Sequence, residues 1–384
     1  MKNIAIVGTG NVSQTHISGL LKLKGRCKIV ALADIYPEKA EAKNIRYDLQ
    51  AKTYASHEEM LADGLEIDLV HICTPPYVHA SIAIDCMNKG LNVLVEKPMA
   101  ACLKECDEML EAEKQNGVML AVIAQNRYRQ GFHNLKTLAD SGIAGKIRAA
   151  HVNSLWWRGR SYYDLWWRGQ WEKEGGGPTL NHAVHHIDMI NWIQKELPKE
   201  VTSVLANVMH DNSEVEDLSF AILKYGNGSI AEVTSSVVHH GEEQGVVLQF
   251  EKAKIATPFD CKANISSPNG FPENNRLLVD EIVNANEKIP KLTYVGHTGQ
   301  FDNVLTALEN NTSPHITGTD GKKTIELITA IYKAGFAKRT IELPIQKDDE
   351  FYTIDGILKN AVRFHKKAYS LDNFNKEEFD PNRY

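Results

Sequence analysis

The sequence predicts an α/β protein: an N-terminal doubly wound parallel sheet, then an α+β domain with an open, mainly antiparallel sheet. Three observations carry this. Short β-branched apolar runs alternate with amphipathic helical stretches through the first 125 residues, and strands joined by crossover helices pair in parallel. From Glu200 to about Ile255 the runs VTSVLANVMH, LSFAILKYG, SIAEVTSSVV and VVLQFEKAKI are joined by tight turns such as YGNGS, a hairpin pattern. The length of 384 residues exceeds a domain norm of roughly 150 and requires at least two domains. The texture changes after Gln125, which divides the chain into 1–125 and 126–384.

In the first part, strands are expected over Asn3–Val7, Lys28–Ala33, Asp68–Cys73, Asn92–Val95 and Met119–Ala124, each ended by a turn signal. Crossover helices begin near Val12, Pro37, Val78 and Cys102. A helix over Phe132–Ala139, a strand into Trp156, a Trp- and Gly-rich stretch and a long helix from about Leu180 follow. Beyond the hairpins, helices at Gly299–Asn310 and Asp320–Ala337 should cover one face of the second sheet. The last 35 residues, rich in Asp, Lys and Asn, carry one amphipathic helix over Tyr352–His365 and should wrap over another domain or subunit.

Apolar residues at 43% and charged residues at 24% provide for a packed core and exclude a disordered or fibrous chain. The 43 Lys and Arg against 49 Asp and Glu give a net charge of −6 with no long basic run, which argues against nucleic-acid and anionic-membrane partners. No apolar stretch reaches the roughly 18 residues of a membrane helix, and MKNIAIVGTGNV meets glycine too early for a signal peptide; a cytoplasmic location is expected. The six cysteines, without a CxxC pair, read as reduced thiols.

The first chemical motif is GTGNVS. Gly8, Gly10 and Ser13 stand between the first strand and first helix, where a dinucleotide fold needs a tight turn, close backbone approach to a pyrophosphate and a small residue for helix packing. Asp34 ends the second strand roughly 20 residues later, where a carboxylate accepts hydrogen bonds from the adenosine ribose hydroxyls and repels a 2′-phosphate. This favours NAD over NADP. The plainer alternative is that Asp34 starts the turn before Pro37.

CTPPYVHA (73–80) and VLVEKPMA (93–100) each follow a strand and place polar groups at the carboxyl edge of the sheet, where ligands bind. Lys97 there can be desolvated beside a cofactor, which lowers its pKa and permits proton transfer; Pro98 fixes the turn. A third group, GGGPTLNHAVHHID (175–188), opens a helix bearing Asn181, His182, His185, His186 and Asp188. Residues four apart share a helical face, so Asn181 should lie beside His185, with Asp188 fixing the His185 tautomer. His182 with His185 or His186 lacks a third ligand at metal spacing, and no metal is assigned. All six tryptophans fall between 156 and 192, and aromatic faces with Arg158 and Arg168 suit a sugar or nicotinamide ring.

These motifs, with QNRYRQ at 125–130 and GHTGQFDNVLTALEN at 296–310, resemble the Gfo/Idh/MocA oxidoreductases over nearly the whole chain. The resemblance implies a Rossmann domain, a C-terminal α/β domain whose sheet commonly forms subunit contacts, and hydride transfer between a nicotinamide and a sugar or cyclitol carbinol carbon. It implies that Lys97 contacts both the nicotinamide ribose and the reacting hydroxyl, with His185 as the acid/base. Many members have Asp where this chain has Asn181, so the amide here orients the hydroxyl. The cofactor set is Gly8, Gly10, Asn11, Val12, Asp34, Thr74, Pro75, His79, Glu96, Lys97, Asn126, Trp167 and Arg168. The substrate set is Arg127, Trp157, Arg158, Tyr163, Asn181, His182 and His185. The WWRGRSYYDLWWRGQW stretch looks like the subgroup acting on pyranosides, nucleotide sugars and anhydrosugars. A redox-neutral NAD-dependent glycosidase or lyase, and a non-catalytic NAD-binding regulator, are the alternatives. A homo-oligomer, dimer or tetramer, is expected to cover the broad sheet face.

Overall fold

The computed structural model describes residues 1–372; the end of the 126–384 segment lies outside the described residues. The first half runs β1 (Lys2–Val7), α1 (Asn11–Lys22), β2 (Cys27–Ala33), α2 (Pro37–Arg46), β3 (Lys52–Tyr54), α3 (His57–Ala62), β4 (Leu69–Ile72), α4 (His79–Asn88), β5 (Asn92–Val95), α5 (Leu103–Asn116) and β6 (Leu120–Val122). Its strands form one parallel sheet in the order β3-β2-β1-β4-β5-β6. The order reverses between β1 and β4, the switch point at which doubly wound sheets bind ligands. The central strands are buried on both faces over most of their length, which explains their Val, Ile, Leu and Ala content; β4 alone among them carries a buried polar side chain, His71. The sequence gives no sign of β3, whose three residues KTY form a partly exposed edge strand too short for any period.

The second half continues with α6 (Gln130–Ser141), β7 (Ile147–Leu155), α7 (Trp171–Glu174), α8 (Pro178–Asn181), α9 (Val184–Gln194), β8 (Glu200–Ala206), β9 (Leu218–Lys224), β10 (Ile230–Ser236), β11 (Gln244–Phe250), β12 (Ala253–Thr257), β13 (Asp260–Ser266) and β14 (Pro272–Asn274). Then come α10 (Arg276–Lys288), α11 (Gly296–Asn310), α12 (Gly318–Ala337), β15 (Ile341–Glu342) and α13 (Ile354–Asn360). The nine strands lie in the order β14-β13-β12-β11-β7-β10-β9-β8-β15, antiparallel except where β7 runs beside β10.

Three expectations are corrected. The run VVLQFEKAKI is two strands, β11 and β12, folded back at Glu251 and Lys252, and the sheet continues to residue 274. The long helix from Leu180 is broken into α8 and α9, because residues 182 and 183 both close back onto the Pro178 carbonyl. The tail helix is only α13; beyond it the chain runs extended across the tryptophan-rich segment of the same molecule. There Trp171 Nε1 donates to the Val362 carbonyl (3.1 Å), the Trp166 amide to Leu371 (2.9 Å) and the Leu371 amide to Asp164 (2.7 Å).

Late elements also return to the first sheet. Phe301, Val304 and Leu305 of α11 share a core with Ile17 and Leu20 of α1. Gly19 makes this approach possible: a Cβ there would sit 2.8 Å from the Phe301 ring. Arg26 seals the contact at the surface by pairing with Asp302 and Glu309. α12 opens with a reciprocal Thr317–Asp320 capping box and packs against α5, β6 and β8.

Candidate active site

Residues that follow β1, β2, β4, β5 and β6 gather on the carboxyl edge of the parallel sheet. Gly8 adopts φ +90°, and a Cβ on it would lie 2.7–2.8 Å from the backbone of Cys73 and Thr74, so only glycine lets β1 turn beside β4. Gly10 caps α1, with nothing within 4 Å of a Cβ placed on it. Asn11 and Val12 begin that helix, whose first N–H groups have no side-chain cap. Ser13 Oγ donates to the Gly10 carbonyl at 2.7 Å, bracing the turn from within. Asp34 accepts from the Thr9 amide (2.6 Å), the Thr9 hydroxyl (2.8 Å) and the Tyr36 amide (2.9 Å). It therefore shapes the glycine turn as well as standing at the end of β2.

Glu96 and Lys97 follow β5. Glu96 is buried; its Oε2 accepts from the Lys97 amide at 3.1 Å, and its Oε1 meets His16 Nε2 at 2.9 Å and His297 Nε2 at 3.6 Å. Burial opposes its ionisation, but the hydrogen bond from His16 and the nearby His297 hold it well below the usual carboxylate range. Both oxygens are engaged inside the protein, and through the Lys97 amide Glu96 braces the residue beside it. His79 likewise spans two carbonyl oxygens, Pro98 at 2.8 Å and Thr74 at 2.7 Å, and ties the two loops together. Lys97 Nζ donates to the Asn181 carbonyl at 3.0 Å, and burial lowers its pKa against the pull of Glu96.

The glycine run 175–177 is built around Glu216. That buried carboxylate accepts from the Gly177 amide (3.1 Å), the Thr179 amide (3.1 Å) and the Tyr332 hydroxyl (3.0 Å). A Cβ on Gly177 would lie 1.9 Å from the Glu216 carbonyl oxygen, and one on Gly176 2.1 Å from the Tyr332 hydroxyl. Burial pushes the Glu216 pKa up to about 7, against these donors. The turn carries Asn181, whose Nδ2 donates to the Gly176 carbonyl at 2.7 Å. Asn181 ends α8 and His185 lies in α9, so they do not share one continuous helical face.

His185 lines a small cavity together with Lys97, Pro98, Met99 and Asp188. Burial, reinforced by Lys97, holds its pKa well below 6.5, so the ring is neutral at pH 7. Asp188 does not fix its tautomer. Both Asp188 oxygens accept from Arg127, at 2.8 and 2.7 Å, and Arg127 is spent on that buried pair rather than on a ligand. His186 is buried edge-on to Phe132.

The tryptophan segment comes near the site, with Arg168 and Glu174 close enough to act on the Lys97 charge. Arg168 lies 4.1 Å from the ring centres of both Tyr162 and Trp167 and donates to Glu174 at 2.7 Å. Arg158 pairs with Glu242 at 2.6 Å near Trp156 and Tyr162, and His182 sits 5.6 and 6.0 Å from those same rings. His210, itself bonded to Asp217 at 2.9 Å, holds the Arg158 carbonyl at 3.0 Å. Tyr163 is only 1% exposed and packs in the core, whereas its neighbour Tyr162 and Trp156 are only partly buried, beside Arg158 and His182. Trp157 is exposed and stacks on His240.

The edge fits a dinucleotide by its own chemistry. Thr74 Oγ1, Gln125 Oε1 and Asn126 Oδ1 are buried there without partners among the described residues, and Gly10 leaves open space before a helix N-terminus. A doubly wound sheet with this turn, an acid after β2 and an ammonium beside a neutral imidazole defines a nicotinamide-dependent oxidoreductase. The chain belongs to the Gfo/Idh/MocA family: the model described as "Oxidoreductase family, NAD-binding Rossmann fold" matches residues 2–124, and that of the GFO/IDH/MocA C-terminal domain matches 132–256. The 2,7-anhydro-N-acetylneuraminate hydratase of Mediterraneibacter gnavus is 27% identical over 263 residues, 67% of each chain. Inositol 2-dehydrogenase of Salmonella typhimurium is 29% identical over 197 residues, 51% of this chain and 55% of that one. The WlbA dehydrogenase of Bordetella pertussis, solved with NADH and UDP-GlcNAcA, superimposes with a TM-score of 0.78 at 27% identity over 90% of this chain and 98% of its own. No helix among the described residues is long and apolar enough to cross a membrane.

Proposed function

We propose that the protein moves a hydride between a carbinol carbon of a sugar or cyclitol and NAD, with Lys97 and His185 as the acid/base pair. The observation that supports it best is the convergence of these two side chains, one after β5 and one on α9, on a single cavity. Gly8, Gly10, Asn11 and Val12 would hold the pyrophosphate, Asp34 the adenosine ribose, and Thr74, Pro75 and Asn126 the nicotinamide end. Asp34 disfavours a 2′-phosphate, hence NAD over NADP. When bound, the nicotinamide supplies the hydride acceptor or donor.

Lys97 donates a hydrogen bond to the substrate hydroxyl and lowers the cost of its developing negative charge. His185, neutral at working pH, takes the hydroxyl proton. Asn181 acts through its carbonyl, which aims the Lys97 ammonium. Tyr162, Trp156, Trp167 and Arg168 supply the flat, polar-edged wall that suits a pyranoside, an anhydrosugar or the sugar of a nucleotide sugar. The outer face of the second sheet exposes Val204, Phe220 and Ile222, which a second subunit of a homo-oligomer would cover.

A redox-neutral variant of the same chemistry is favoured by the hydratase among the relatives. There the hydride returns to the substrate after a neighbouring bond has been broken or hydrated. Absorbance at 340 nm separates the two: purified protein with NAD is offered free sugars, glycosides, anhydrosugars, cyclitols and nucleotide sugars at mildly alkaline pH. NADH growth with one member supports the dehydrogenase; substrate loss with no NADH supports the redox-neutral enzyme; neither, across the panel, sinks both.

A further inference from the structure

Three donors from distant parts of the chain converge beside Lys97: His16 on α1, Glu96 after β5 and His297 in the first turn of α11. Both imidazoles turn Nε2 toward the same carboxylate oxygen, and the three donor atoms all lie within 4.8 Å of one another. Ligands around a tetrahedral zinc-sized ion at roughly 2.0–2.2 Å stand about 3.3 Å apart, and the 2.9 and 3.6 Å separations from Glu96 Oε1 bracket that value. We propose that His16, Glu96 and His297 bind one divalent ion of the zinc class, which pins α11 to the dinucleotide domain behind Lys97.

The surroundings are those that a metal centre requires. His16 Nδ1 meets His71 Nδ1 at 2.9 Å, so the His16 tautomer that frees Nε2 for an ion places its proton toward a partner. The second oxygen of Glu96 is held by the Lys97 amide. The Phe301 ring lies 4.9, 5.0 and 6.1 Å from the His16, His71 and His297 rings and makes an apolar wall. His16 and Glu96 are buried, whereas His297 is partly exposed, which leaves a path for entry and a side for a water as fourth ligand. Two imidazoles and one carboxylate select Zn²⁺, Co²⁺ or Ni²⁺ over Mg²⁺ or Ca²⁺. The separations in sequence, 80 residues from His16 to Glu96 and more to His297, hide the set from any local motif.

The test uses Co²⁺ as the probe. Full-length protein is stripped with chelator, equilibrated with Co²⁺, freed of excess by gel filtration, and read by metal content and by the visible d–d bands of tetrahedral cobalt. The expected result is about one ion per chain, a raised Tm, and at least tenfold weaker binding in His297→Gln and His16→Gln but unchanged binding in His182→Gln. Wild-type protein that retains less than a tenth of an ion per chain and shows no d–d bands overturns the site without recourse to any variant. So does binding that His297→Gln leaves intact.

Discussion

The Nζ of Lys97 and the main-chain carbonyl of Asn181 are 3.0 Å apart, so the lysine is aimed by backbone and the amide side chain is spent elsewhere, on the Gly176 carbonyl. Asn181→Asp would restore the acid that many family members carry, yet here it sets a carboxylate against that carbonyl. A destabilisation of about 1–3 kcal/mol is expected, by loss of the donor to a buried acceptor. Urea unfolding of the variant checks this; wild-type stability would show that the glycine turn does not depend on the amide.

Lys97→Ala should lower turnover by a factor on the order of 10²–10⁴ while NAD still binds, since the proposed roles put the ammonium on the reacting hydroxyl and the pyrophosphate at the α1 turn. Steady-state kinetics with the substrate found at 340 nm, beside NAD titration by protein fluorescence, separates the two effects. Near-normal turnover would remove Lys97 from the chemistry.

The first sheet was legible because each of its signals is local: a glycine turn, an apolar run and a terminal acid lie within a few residues of one another, and period-2 or period-3.6 patterns report burial directly. The site was legible only where it hangs on that sheet. Arg127 and Asp188 are both plausible ligand-binding residues in sequence; nothing short of the fold reveals that they neutralise each other across 61 positions. That Tyr163, and not Tyr162, would be the buried one was hidden for another reason. Residues 160–164 form an irregular 3₁₀ turn, where neighbouring side chains have no fixed in-out alternation. Glu216 gave no signal because its partners are backbone amides 37 and 39 residues away.

Glu216 makes stability depend on pH. Its pKa is about 7 in the folded protein because of burial, against an ordinary 4.5, so folding takes up a proton between those values. Its contribution is fully present below pH 4.5 and is lost as pH rises through 7, by about 3 kcal/mol. Glu216→Gln keeps the shape without the titration. Denaturant unfolding from pH 5 to 8 should therefore show the wild type losing stability relative to the variant by that order; parallel curves would mean the carboxyl does not titrate in this range.

The two glycines of the α1 turn should fail in opposite ways, and the contrast tests where the pyrophosphate lies. Gly8→Ala places a Cβ 2.7 Å from the Cys73 carbonyl carbon at φ +90°, so β1 and β4 must separate, and folding itself should suffer. Gly10→Ala meets nothing within 4 Å and keeps a φ of −67° that alanine adopts freely. Its Tm should equal that of the wild type, while the methyl fills the space a phosphate needs before the helix N-terminus. NAD affinity should fall at least tenfold, about 1.4 kcal/mol, by calorimetric titration. If Gly10→Ala bound NAD as tightly as the wild type with an unchanged Tm, the dinucleotide would not approach the chain at this turn.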